Sequence, residues 1–94
     1  MKLRHQKDLH KWPPQWGGAY KPGDRFLQGE EAGTLKAATI VSKSLRLVAD
    51  YDGHDVMATL ESKDEKLLKR TCDVLNKNLS RPLKEIGDLE IPEQ

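Results

Sequence analysis

The sequence predicts an α+β domain: a three- to four-stranded antiparallel β-meander packed against one C-terminal amphipathic helix, with an irregular Trp/Pro-rich N-terminal segment. Three observations carry this expectation. Residues 45–60 alternate apolar and polar on both sides of Asp52-Gly53. Residues 34–41 form a β-branched run without proline. Residues 62–79 place apolar side chains at helical spacing behind a capping signal.

Asp52-Gly53 marks the tip of a hairpin, because both central residues of a type I′ turn need φ > 0. A two-residue loop pairs Tyr51 with His54, Ala49 with Val56, Leu47 with Ala58 and Leu45 with Leu60. Side chains alternate along a strand, so these eight residues share one face. Arg46, Val48, Asp50, Asp55, Met57 and Thr59 share the other. A slip of one residue would exchange the faces, so the matched alternation of both arms sets the register. A tight connection near Ser42-Lys43 places Ile40 opposite Leu45 and Ala38 opposite Leu47, which adds residues 34–41 as a third strand. Residues 25–28 are a candidate fourth. Such a sheet, apolar on one face, needs a cover.

The cover is the helix that follows. Ser62-Lys63-Asp64-Glu65 fits a capping box, in which the Ser62 hydroxyl and the Glu65 carboxylate satisfy orphan N–H groups. Leu67, Leu68, Thr71, Cys72, Val74, Leu75, Asn78 and Leu79 then follow helical spacing. Ser80-Arg81-Pro82 ends the helix. Leu83 and Ile86 suggest one further turn, with Gly87 as its left-handed stop, and residues 88–91 are expected to lie extended on a sheet edge or core rim.

The chain divides into a flexible basic arm, 1–11, and a single domain, 12–94. The arm offers only Leu3 and Leu9, whose six-residue spacing makes no helical stripe. His5 and His10 are five apart and miss the spacing of two ligands on one helix face. Charge is uneven: residues 1–25 hold six bases against two acids, and residues 85–94 hold four acids and no base. Over the whole chain, 16 basic and 15 acidic residues leave no field that would draw it to nucleic acid or an anionic membrane.

Composition narrows the chemistry. Ninety-four residues allow one domain with one modest core. A single cysteine, Cys72, excludes an intramolecular disulfide and a multi-cysteine metal site. With no secretory-type or membrane-spanning apolar run, the expected location is cytoplasmic. Cys72 falls in the apolar stripe of the helix and reads as a structural thiol. Asp50, Asp52, His54 and Asp55 crowd the hairpin tip and invite a cation. Counted as a calcium loop from Asp50, however, the position that requires glycine is Asp55. No nucleophile, base and orienting acid come together, and no phosphate-cradling glycine loop is present. No enzyme activity, cofactor, metal or small-molecule substrate is expected.

Two surfaces remain as candidate sites. Trp12, Trp16, Tyr20, Lys21, Arg25 and Phe26 combine rings with bases in a proline-rich stretch, as a recognition surface or as a lid on the core. Val48 and Met57, cross-strand neighbours on the polar face, form an apolar spot suited to self-association. The expected function is a small non-catalytic module for protein–protein interaction through either surface. The alternative is single-stranded nucleic-acid binding by the basic, aromatic N-terminal segment. A small metal-dependent enzyme or ion-binding protein ranks below both.

Overall fold

The computed structural model describes residues 1–6, 8–11, 33–51 and 53–92. Strand β1 is His10–Lys11, β2 Thr34–Val41, β3 Ser44–Tyr51 and β4 His54–Glu61; helix α1 is Glu65–Asn76 and α2 Leu83–Ile86. The hairpin adopts the register that its turn dictates: Tyr51 pairs with His54, Ala49 with Val56, Leu47 with Ala58 and Leu45 with Leu60. Gly53 takes φ +83°, the left-handed conformation required at the tip. β2 joins β3 through Ser42-Lys43, with Val41 opposite Ser44, Ile40 opposite Leu45 and Ala38 opposite Leu47. Ser42 absorbs that turn at φ 59°.

Counting back from Ile40 and Ala38 in steps of two lands on Lys36, a residue unfit for the core. A β-bulge between Leu35 and Ala37 removes the conflict by inserting one extra residue against β3. Leu35 and Ala38, three apart, are both buried as a result. Lys36 and Ala37 are left together on the open side.

Among the described residues the sheet has four strands in the order β1-β4-β3-β2. Its fourth strand is β1, through His10 opposite Glu61 and Lys11 opposite Leu60. The candidate strand at 25–28 and the Trp/Pro-rich segment lie outside the described residues. The segment 1–11, expected as an arm beyond the core, contributes two side chains to it: Leu3 is 2% exposed and Leu9 5%. A 3-10 turn at Leu3–His5 and then β1 point both leucines inward, so their six-residue spacing does not need a helix. Backbone bonds hold the turn in place. Leu3 N–H donates to Leu89 O at 2.8 Å, Arg4 N–H to Gly87 O at 3.0 Å and Ile91 N–H to Met1 O at 2.9 Å. Asp88 still belongs to the turn after α2, its N–H donating to Glu85 O at 3.1 Å, so the stretch that runs along the N-terminus is 89–91, with Lys2 bridged to Glu90.

α1 packs over β2 and reaches β3, burying Leu67, Leu68, Thr71, Cys72 and Leu75. Its cap is Asp64 rather than Ser62. The Asp64 carboxylate accepts from Leu67 N–H at 3.0 Å, and the Ser62 hydroxyl accepts from Asp64 N–H at 3.0 Å. The helix therefore begins at Glu65, too late for that side chain to close a capping box on Ser62. It also ends at Asn76, which leaves Leu79 outside the stripe and 41% exposed. Ser80 turns the chain at φ 71° and donates its N–H to Leu35 O at 2.7 Å. α2 buries Leu83 and Ile86 completely, and Gly87 follows in the right-handed region at φ −63°, not the left-handed stop expected of it.

Candidate functional site

Leu35, Leu45, Leu47 and Leu60, with Val56 and three alanines, fill the covered face of the sheet; its other face is organised by register into rows across three strands. Ala37, Val48 and Met57 form one row. On one side of it lies the row Thr34, Asp50, Asp55, and on the other the row Thr39, Arg46, Thr59. Val41, Ser44 and Glu61 complete the face. Val48 and Met57 are the neighbours that strand alternation predicts, and both are half-buried. Ala37 joins them unannounced, because the bulge moves it into line. The signal for it was present as a break in period, Leu35-Lys36-Ala37-Ala38, where alternation fails.

Lys36 shapes one border of the apolar row. Its Nζ donates to Asp55 Oδ1 at 2.9 Å. β2 and β4 are separated by β3, so the side chain spans about 10 Å of sheet, two strand spacings. The hydrogen bond to Asp55 and then the Asp55 charge raise the lysine pKa from its ordinary value, with Asp50 adding to them and desolvation opposing. Asp50 and Asp55 stand directly opposite each other, an arrangement that repels. The ammonium of Lys36 supplies the positive charge that this pair attracts. Among the described residues no group of three or more His, Cys, Asp or Glu side chains is placed to hold a metal. Asp52 lies outside them.

Cys72 is buried in α1 against β2, with Sγ 3.6 Å from Ala38 O and accepting from Asn76 Nδ2 at 3.3 Å. Burial pushes its thiol pKa up and the Asp73 charge adds to this, against smaller opposing hydrogen bonds from Asn76 and the Ile40 backbone. That is the reverse of what activates a nucleophile. The same contacts occupy part of the outer edge of β2, where Leu35 is already bonded to Ser80 and Arg81. An edge so covered is a poor template for another strand.

Two surface clefts lie among the described residues. One of about 390 Å³ is lined by Met1, His5, Gln6, Asp8, Asp64, Leu67 and Arg70. Two of its polar groups are committed to the fold: Asp64 caps α1, and Arg70 Nε donates to Pro92 O at 2.7 Å. The other, about 450 Å³, lies among Lys43, Glu61, Ser62, Lys63 and Glu65. Its hydroxyl, that of Ser62, accepts the Asp64 N–H.

Of the residues marked in the sequence, Val48 and Met57 come together. Trp12, Trp16, Tyr20, Lys21, Arg25 and Phe26 lie outside the described residues. No described helix is long and apolar enough to cross a membrane. Fold and face together define an α+β domain whose antiparallel sheet buries one side and presents a narrow apolar row between charged rows on the other. No protein-family model, curated protein or solved structure matches the chain.

Proposed function

We propose that this protein is a small non-catalytic, cytoplasmic binding module that engages another protein through the open face of its sheet. The row Ala37-Val48-Met57 carries this reading. An apolar centre rimmed by Lys36, Asp50, Asp55, Arg46 and the threonines has the anatomy of a protein interface, dry in the middle and polar at the border. The Trp/Pro-rich segment is the second contact surface of the proposal. The raised pKa of Cys72 and the engagement of Ser62, Asp64 and Arg70 in holding the fold favour a non-catalytic role.

Nucleic-acid binding by Trp12, Trp16, Tyr20, Lys21, Arg25 and Phe26 rests on composition. The open face argues for protein instead, since Asp50, Asp55 and Glu61 outnumber Lys36 and Arg46 there and would repel phosphates.

A photo-crosslinking side chain tests the reading when placed at Met57 and, for comparison, at Lys66 on the exposed side of α1. A protein adduct formed from position 57 and not from position 66 supports it. Identical adducts from both positions, or none, overturn it. Salt-sensitive quenching of tryptophan fluorescence by oligonucleotides would transfer the function to nucleic acid.

A further inference from the structure

Resting on that reading, we infer that the partner of the open face is a second copy of this chain, packed face to face about a two-fold axis that crosses the strands at Val48. Aligned packing of one sheet on another is a standard solution for an apolar strand face. A two-fold contact must be self-complementary, each patch meeting itself.

The rows satisfy that condition for one axis and not for the other. Rotation about an axis along the row Ala37-Val48-Met57 lays each of these residues on its own copy and reverses the strand direction. The flanking rows then exchange. Arg46 and Asp50 lie two residues to either side of Val48, about 7 Å away in each direction. The rotation therefore sets Arg46 of one copy over Asp50 of the other, twice. The acidic border holds Asp50, Asp55 and the Lys36 ammonium bound to Asp55, a local excess of negative charge facing the guanidinium. An axis parallel to the strands would instead stack Arg46 on Arg46 and Asp50 on Asp50. The charge pattern selects the first.

Size sets the strength. Three strands about 5 Å apart and some seven residues long present roughly 400 Å² of sheet per copy. A standard stable interface buries about 800 Å² per partner. The dimer is accordingly weak and concentration-dependent, and like charges brought together at its border are enough to abolish it.

Sedimentation of the full chain from about 10 µM to about 1 mM reads the association directly. The expected result is a reversible monomer–dimer equilibrium. Arg46→Asp alone and Asp50→Arg alone each weaken it about tenfold or more, by setting acid on acid or base on base. An equimolar mixture of the two variants recovers the dimer as a one-to-one heterodimer. One chain then carries acids on both sides of Val48, the other carries bases, and both contacts pair opposite charges again. Thermal unfolding of each variant confirms that it is folded.

A strict monomer across the range overturns the inference, as does association that either single variant leaves unchanged or that mixing fails to restore. A monomeric protein whose Met57 crosslinker still captures a different protein loses the dimer and keeps the binding face. A monomeric protein with no specific adduct loses both.

Discussion

Lys36 on β2 reaches across β3 to bind Asp55 on β4, with Nζ 2.9 Å from Oδ1. The reach depends on the bulge that turns Lys36 onto the open face while sending Leu35 into the core. It places one positive charge beside Asp50 and Asp55, which the hairpin register forces to face each other. One inserted residue therefore fills the core on one side of the sheet and offsets a like-charge pair on the other.

That arrangement makes stability depend on alkaline pH. The Lys36 pKa is raised in the folded chain above its value of 10.5, by the hydrogen bond to Asp55 and the charges of Asp55 and Asp50. A raised pKa on a base contributes stability that is fully present below the unfolded value and is lost as pH climbs through the folded one. Lys36→Met is expected to lower the urea midpoint at neutral pH. Its deficit against the parent should hold constant up to about pH 10 and shrink above that. Both side chains are more than half exposed, so added salt should shrink it as well. A deficit that stays flat through the alkaline range would remove the lysine charge as its source.

The helix cap separates two accounts of one motif. Asp64 accepts from Leu67 N–H, and Ser62 accepts from Asp64 N–H. Asp64→Ala is expected to destabilise the fold by about 1 kcal/mol, the usual loss for an N-cap carboxylate. Glu65→Ala, at the first helical position, should cost less, within the range of about 0.3–1 kcal/mol for a surface charge on the helix dipole, and added salt should reduce it. Urea midpoints of the two variants decide the matter. A larger loss at Glu65 than at Asp64 would restore the capping box.

Features set by a local period were legible in the sequence, and features made by distant segments were not. The Asp52-Gly53 tip and the alternation of both arms fixed every pair from Leu45 to Leu60, and with them the neighbours Val48 and Met57. Ala37 and Lys36 escaped because a bulge breaks the period on which that inference depends. The contact between Lys36 and Asp55 skips a strand, so no adjacent-strand pairing rule could reach it. Leu3 and Leu9 escaped for another reason. Leu3 is held at Leu89, and the Met1 carbonyl accepts from Ile91 N–H, with nearly the whole chain between the partners.

Leu3 turns that contrast into a measurement. Its side chain is 2% exposed and belongs to the same cluster as Leu45, Leu75 and Ile86. Leu3→Ala is expected to destabilise the domain by about 2–5 kcal/mol, the range for removing a buried leucine and leaving a cavity. A loss of that size in a domain this small should lower the thermal midpoint by roughly 10 °C or more. An arm lying outside the core would give no change.

Cys72 reports on opening of the same core. Burial and the Asp73 charge raise its thiol pKa above 9.0, so little thiolate exists near neutrality, and Sγ is enclosed between α1 and β2. Alkylation in the native chain near neutral pH is expected to be slower than that of a free cysteine by at least about 100-fold, limited by opening of the helix from the sheet. Labelling should rise with urea in step with loss of helical circular dichroism. Because Leu3 packs in the same cluster, Leu3→Ala should raise the native labelling rate about tenfold for each ~1.4 kcal/mol of stability it removes when opening is global. Rapid labelling of the parent chain in buffer, independent of Leu3, would instead place the thiol in an open pocket and overturn its reading as a structural thiol.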